Sequence, residues 1–208
     1  MSCFPSTKKK LKNKPRLTLA LYHRSKRPGC YHYALLLTPK PTDPPTSTRG
    51  HPSNPTLVPK FHAVNTPFRD ELTGEMSRNW LVQRGQVNDI ETEPFLHVLV
   101  TVGKVCCDVG ALEGVLRDVV QDCDLEKGEE KLDCKIWARG AFERLRAEGL
   151  LTGKSNATGK AVSWDELEDE AEAFAQQMMG VERAEVGWMG DEGTPCWDIL
   201  DGRIIAMT

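Results

Sequence analysis

The segment Phe95–Cys106 constrains the fold most strongly, because both faces of the strand that it predicts are apolar. Its alternating residues are Leu96, Val98, Val100 and Val102 on one face, and His97, Leu99 and Thr101 on the other. A strand with two largely apolar faces has to be covered on both sides, as in the middle of a sheet. We therefore predict that this segment is a central strand.

Strand patterns precede this segment and helix patterns follow it. Apolar runs predict strands over 16–22, 30–37 and 57–65, and residues 76–87 fit either a strand or a helical turn. Helical spacing predicts helices over 109–123, 132–148 and 163–179, and residues 184–208 predict irregular structure or a short strand pair. This order predicts an α+β fold, with an antiparallel sheet of about four or five strands packed against about three helices.

Two polar segments set the expected domain boundaries. Residues 1–15 are lysine-rich and predict a disordered basic arm. Residues 39–59 hold seven of the 13 prolines and predict a Pro-rich surface loop. The two short strands before that loop cannot bury a core alone, so we predict that residues 16–208 form a single domain.

Charge is divided along the chain. Residues 1–62 hold 12 basic side chains and one acid, and residues 63–208 hold 15 basic and 29 acidic ones, which gives net charges of +11 and −14. The segment Lys8–Arg16 could bind an acidic partner or nucleic acid, or act as a nuclear address. The acidic helix at 163–177 could bind a basic partner. One hypothesis is therefore a non-catalytic interaction or adaptor protein.

Cysteine usage and missing motifs exclude several other classes. The seven cysteines contain no C-x-x-C pair, which favours reduced thiols in a cytoplasmic or nuclear protein over a disulfide framework. Cysteines and histidines lack zinc-ligand spacing, and no phosphate loop, dinucleotide fingerprint or nucleophile elbow occurs, so we predict no metal and no cofactor. No apolar run approaches about 18 residues, and no transmembrane segment or signal peptide is predicted.

Three residues stand out as a candidate catalytic set. His32 lies within an apolar strand, His62 in the next strand across the loop, and Cys134 where a helix begins. A helix N-terminus favours the thiolate, the nucleophilic form of cysteine. A neighbouring imidazole could take the thiol proton and return it to a leaving group, and a second polar residue would orient that imidazole. Each residue also has a structural alternative, as a hydrogen-bonded histidine or a packed small cysteine. His97 is a fallback base.

The order of these residues resembles circularly permuted papain-like proteins. The segments are "YHYALLL", "FHAVN" and "DCKIWARGAF", within residues 17–150. The pattern is similar to lecithin–retinol acyltransferase-like proteins, deubiquitinating permuted peptidases and small fungal proteins with a "YH-aromatic-AL" strand. The resemblance implies a papain-like fold and a thiol hydrolase or acyltransferase of unknown substrate. Cys134 would then be the nucleophile, His32 the base and His62 the orienting group.

Overall fold

The computed structural model describes residues 14–24, 26, 29–40, 57–69, 71–125, 132–154, 158–180 and 194–207, which form an α+β fold. The strands among these residues are β1 (Arg16–His23), β2 (Tyr31–Thr38), β3 (Val58–Arg69), β4 (Met76–Val87), β5 (Leu96–Val105), β6 (Leu151–Thr152), β7 (Thr194–Asp198) and β8 (Arg203–Met207). The helices are α1 (Val109–Leu125), α2 (Cys134–Ala147) and α3 (Trp164–Gly180).

The strands form one mostly antiparallel sheet in the order β4-β3-β2-β1-β5-β7-β8, with β6 attached to β5. Only the pairing of β5 with β7 is parallel in the described part of the chain. The predicted central strand is confirmed, because β5 lies between β1 and β7. Residues of β5 belong to the buried clusters on both faces of the sheet, which explains why both faces of this strand are apolar.

The sheet has eight described strands, so the prediction of four or five strands is wrong in number. The ambiguous segment 76–87 is the 12-residue strand β4, and the C-terminal segment forms the strand pair β7–β8. The strand β6 has two residues and β7 and β8 have five each. Such short strands show too few alternations for a sequence pattern to separate them from loops.

The sheet carries buried residues on both faces. The helix face packs against the three helices and carries from the strands Leu17, Leu19, Leu21, Tyr31, Tyr33, Leu35, Phe61, Ala63, Val98, Val100 and Val102. The second face carries Ala20, Tyr22, Ala34, Leu36, Val58, Val87, Leu99 and Cys196, with Ile90 from the segment after β4. Period-two alternation along each strand separates the two sets. Helix α2 contacts β2 and β3 on the helix face, which positions the candidate site.

Local signals determine where the helices begin and end. Asp133 caps α2, because its carboxylate accepts from the backbone N–H groups of Lys135 and Ile136. Gly149, with a φ of 70°, follows the end of α2, where a left-handed residue favours glycine. The predicted capping box before α3 is present, since Ser163 Oγ accepts from Glu166 N at 3.2 Å and Glu166 Oε2 accepts from Ser163 N at 2.9 Å.

The predicted arm and loop lie largely outside the described residues, which begin at residue 14 and omit 41–56. At the described ends, the Pro15 carbonyl accepts from Val105 N at 2.9 Å, and Val58 and Pro59 already belong to β3. Ordered structure therefore extends slightly into both predicted segments. None of the helices in the described part of the chain is long and apolar enough to cross a membrane.

Candidate functional site

Two of the three predicted site residues are directly hydrogen-bonded to each other. His32 Nε2 lies 2.9 Å from His62 Nδ1, and the two rings meet edge to face with centroids 5.2 Å apart. In the β1–β2 register His32 is opposite Tyr22, a residue of the second face, so this pair lies on that face. The pair joins β2 and β3, which are consecutive among the described strands.

Cys134 is the first residue of α2, as predicted, and packs in the helix-face core with 3% of its surface exposed. Its Sγ accepts a hydrogen bond from the Arg24 guanidinium at 3.1 Å. The backbone N–H of Tyr33, the residue after His32, also interacts with this sulfur. The Cys134 sulfur and the His32–His62 pair therefore lie on opposite faces of the sheet.

The strands β2 and β3 part at this position. Their ladder contains Leu35 opposite Phe61 and Leu36 opposite Lys60, and no pair closer to Tyr33. The N-terminus of α2 thus lies against the part of β2 that is not paired with β3. Among the described residues, no hydrogen bond joins the Cys134 sulfur to either imidazole, and its partners are Arg24 and Tyr33.

The expected activation of the Cys134 thiol by the helix N-terminus does not occur in this state. Burial raises the pKa of Cys134 above its ordinary value, and the Asp133 carboxylate raises it further. The Tyr33 N–H and the Arg24 charge favour the thiolate but do not outweigh burial. The N–H groups at the start of α2 were predicted to be unpaired, whereas Asp133 accepts from two of them.

Both histidines are neutral at physiological pH. Burial, followed by the charges of His62, Arg24 and Lys60, lowers the pKa of His32 to about 4. Burial and Lys60 lower the pKa of His62, against the opposing effect of Glu93. Neutral imidazoles can accept protons, but the lowered pKa makes His32 a weaker base at neutral pH than an ordinary histidine.

A second set of polar residues supports the histidine pair on the same face. The Glu93 carboxylate accepts from Tyr22 Oη at 3.1 Å and from Lys60 Nζ at 2.5 Å. The Lys60 ammonium also lies 5.1 Å from the centroid of the Tyr22 ring. Charges on Lys60 and Glu93 act in opposite directions on the pKa of His62.

Sequence reasoning missed Arg24 and Glu93 as members of this region. Arg24 follows β1 in a turn, and Glu93 lies between β4 and β5. The sequence separates Arg24 from Cys134 by 110 positions and Tyr22 from Glu93 by 71. No local motif marks either residue, because an isolated charge in a turn is usually solvated.

The helix-face side of the site contains an internal charge network. Tyr33 Oη donates to Glu172 Oε1 at 2.7 Å, and Lys135 forms ion pairs with Glu172 at 3.0 Å and with Glu168. These two glutamates belong to the acidic helix that the adaptor hypothesis assigned to a basic partner. In the structure they bind a lysine of the same chain.

The remaining sequence candidates have other surroundings. His97 lies at a shift in the β1–β5 register, and its Nε2 is 2.9 Å from the Ala175 carbonyl on α3. Residues 8–13 of the proposed basic binding segment lie outside the described residues. Within the described part, Lys14 Nζ donates to Cys106 Sγ at 3.1 Å, and Arg16 is buried in β1. Arg16 is therefore a core strand residue rather than part of an exposed arm.

Among the described residues, no three His, Cys, Asp or Glu side chains are grouped so that they could hold a metal ion. No curated protein and no solved structure matches the chain. Residues 14–205 match a family described as a family of unknown function (DUF6914). This match begins at the first described residue and includes all three candidate site residues. The chain therefore belongs to the DUF6914 family.

Proposed function

We propose that this protein is a papain-like thiol hydrolase or acyltransferase. Cys134 is the nucleophile, His32 the base and His62 the residue that orients His32. The observation that carries the proposal is the 2.9 Å contact between His32 Nε2 and His62 Nδ1. Cys134 lies on the opposite face of the sheet, so the proposed reaction requires the His32 ring to turn toward the sulfur where β2 and β3 are not paired. In enzymes with an activated nucleophile, a third residue orients the base by a hydrogen bond, and His62 would have this role toward His32.

The chemistry requires one acyl transfer to sulfur. The Cys134 thiol proton passes to His32 while the sulfur attacks the substrate carbonyl carbon and the carbonyl π electrons move to oxygen. The carbonyl re-forms as the bond to the leaving oxygen or nitrogen breaks, and that atom takes the proton from His32. Water in a hydrolase, or an alcohol or amine in an acyltransferase, then attacks the thioester. His32 takes its proton and returns it to the released sulfur.

In the resting state the Cys134 thiol and the His32 imidazole are both neutral, and no hydrogen bond joins them in the described part of the chain. The pKa of Cys134 is raised and that of His32 is lowered to about 4, so a thiolate–imidazolium pair is disfavoured before substrate binds. Proton transfer therefore has to accompany attack on the substrate. Arg24 supports this step, because its guanidinium donates to the sulfur and stabilises negative charge there.

Site-specific alkylation tests the assignment without knowledge of the substrate. We expect iodoacetamide to label Cys134 faster than Cys196, which is fully buried in the second face. The change His32→Ala should slow labelling of Cys134 by about tenfold or more, since it removes the base. His97→Ala is the matched control, because His97 binds the Ala175 carbonyl on α3 instead.

A second measurement follows the covalent intermediate. After incubation with p-nitrophenyl acetate, peptide mass spectrometry should find an acetyl group on Cys134 that is absent in Cys134→Ala. Equal slow alkylation of Cys134 and Cys196, together with no acetylation at Cys134, would contradict the proposal and leave Cys134 as a packed structural residue.

A further inference from the structure

Strand β4 forms one edge of the sheet and is long for an edge strand. It has 12 residues and pairs with β3 from end to end without a register shift. The strand at the other end of the sheet order, β8, has five residues. Among the described residues, no backbone hydrogen bond joins β4 to any element other than β3. The outer side of β4 therefore presents a row of backbone donors and acceptors about 40 Å long.

The usual protections of a sheet edge are missing from β4. Edge strands are commonly shortened, bent by bulges or interrupted by proline, because an open edge pairs readily with another strand. β4 contains no proline and no bulge. Two of its large apolar side chains are exposed, Leu81 at 39% and Met76 at 67%. This edge can accept a further strand.

The side chains of β4 alternate between the two faces of the sheet. Val82 is opposite Ala63 and Arg84 is opposite Phe61, and both of these β3 residues belong to the helix face. Trp80 lies on the same face and, like Val82, is half-buried against its core. The side chain of Arg84 is 44% exposed. An aromatic ring and a cation thus lie two positions to either side of Val82.

This arrangement is complementary to itself. When two copies of one strand pair antiparallel about a two-fold axis, opposed residues share a face, so one residue has to stand opposite its own counterpart. If that residue is Val82, Trp80 of each copy stands opposite Arg84 of the other. A guanidinium over an indole ring is a favourable cation–π contact, and the symmetry produces it twice.

The existing partner of Arg84 is compatible with this contact. Arg84 binds Glu113 of α1 through one guanidinium nitrogen, with Nη1 and Oε2 3.0 Å apart. That ion pair uses the edge of the planar group, whereas stacking on an aromatic ring uses its face. Arg84 can therefore keep Glu113 and still contact Trp80 of a second copy.

Charge disfavours the neighbouring register. With Leu81 opposite its own counterpart, Arg84 of one copy would stand opposite Arg78 of the other, and β4 contains no acid to offset the two charges. Like charges at directly opposed positions destabilise a strand pair. With Val82 on the axis, Arg78 stands opposite the neutral residue Gln86 instead.

We propose that two copies of this chain associate through their β4 strands, antiparallel about Val82, and so form one continuous sheet. The pairing satisfies the open backbone edge of both copies. It also covers Leu81, which comes to lie diagonally across the axis from its counterpart. The inference concerns the β4 edge alone and does not depend on the chemistry of Cys134.

Sedimentation velocity of the full chain over a range of concentrations tests the association. We expect a monomer–dimer equilibrium at micromolar concentrations. Leu81→Lys should weaken the dimer by about tenfold or more, because it brings two ammonium groups together beside the axis. Met179→Lys is the matched control, since Met179 is 49% exposed but lies on α3.

A second pair of variants tests the cation–π contact. Arg84→Gln should weaken the dimer by about fivefold or more, because it removes both Trp–Arg contacts at once. Arg117→Gln should leave the dimer unchanged. It is the matched control, because Arg117 pairs with the same Glu113 but lies on α1.

Crosslinking tests the register. Val82→Cys should give a crosslink between the two introduced thiols with a short bismaleimide, and peptide mass spectrometry separates this link from those of the native cysteines. Gln86→Cys should give none. Gln86 would stand opposite Arg78, eight positions (86 − 78) from the second Gln86, which is about 27 Å along the strand.

Three results would overturn the proposal. The first is a monomer at every concentration, which would leave the β4 edge unpaired or reserved for a different protein. The second is a dimer that Leu81→Lys does not weaken, and the third is a crosslink through Gln86→Cys but not through Val82→Cys. In both of the latter cases the copies would meet through another surface or register. Circular dichroism melts show that each variant retains the fold.

Discussion

His32 Nε2 lies 2.9 Å from His62 Nδ1, although the two residues are 30 positions apart and are carried by different strands. The contact joins two neutral rings, so the N–H of one ring donates a hydrogen bond to the unprotonated nitrogen of the other, and the tautomers of the two rings are coupled. When His32 Nε2 is the donor, its Nδ1 is the nitrogen left to accept a proton. In the proposed mechanism, His62 would act as a positioning residue for His32.

His62→Ala should slow alkylation and acetylation of Cys134 by about tenfold, because His32 loses the partner that fixes its orientation. His62→Gln should recover part of the rate, since an amide can still hydrogen-bond to His32 Nε2. Peptide mass spectrometry measures the rates, and thermal melting of each variant shows whether the fold is retained. A loss of stability with no change in either rate would assign His62 a structural role only.

Stability should fall between pH 7 and pH 5. The pKa of His32 is about 4 in the folded chain against an ordinary value of 6.5, and the pKa of His62 is lowered too. At pH values between the folded and the ordinary pKa of His32, the unfolded chain binds more protons than the folded chain. The contribution of the neutral histidines to the free energy of unfolding is therefore complete above the ordinary pKa and is lost as pH falls toward 4. Circular dichroism melts at both pH values measure the change.

The double variant His32→Gln/His62→Gln should show a smaller difference in melting temperature between pH 7 and pH 5. His23→Gln is the control, because His23 is exposed at the end of β1. An equally large pH effect in the double variant would mean that other groups dominate the acid sensitivity.

Asp133 has two separable effects on the start of α2. Asp133→Asn keeps a good N-cap and removes the carboxylate that raises the pKa of Cys134, so alkylation of Cys134 at pH 7 should accelerate. Asp133→Ala removes the cap and should lower the free energy of unfolding by about 1 kcal/mol. Urea denaturation and iodoacetamide kinetics measure the two effects. Slower alkylation in Asp133→Asn would show that the carboxylate does not oppose the thiolate.

Two glycine substitutions should change stability in opposite directions. A Cβ at Gly103 in β5 would lie 2.7 Å from Leu151 Cδ1 and 3.1 Å from the Thr152 carbonyl oxygen. Gly103→Ala should therefore lower the free energy of unfolding by about 1–3 kcal/mol through overpacking. A Cβ at Gly114 in α1 would meet nothing within 4 Å, and Gly114→Ala should raise the free energy of unfolding by up to about 1 kcal/mol. Urea titrations that give both variants the same sign would contradict this packing.

The sequence by itself determined the local elements of this protein. Apolar alternation on both faces indicated that Leu96–Val105 is a central strand, and the order of patterns indicated an α+β fold with three helices. Ser163 and Glu166 indicated the start of α3, and Cys134 was predicted at a helix start. These features depend on residues within one or two turns of each other, so a short stretch of sequence carries the whole signal.

Only the tertiary structure decided the chemistry of the candidate site. It joined His32 to His62, brought Arg24 to the Cys134 sulfur, and buried the thiol so that its pKa rises instead of falling. It also added the two-residue strand β6 and decided that the C-terminal segment forms a strand pair rather than irregular structure. Hydrogen bonds between distant residues and the loss of hydration on burial depend on packing, and no local sequence pattern encodes either.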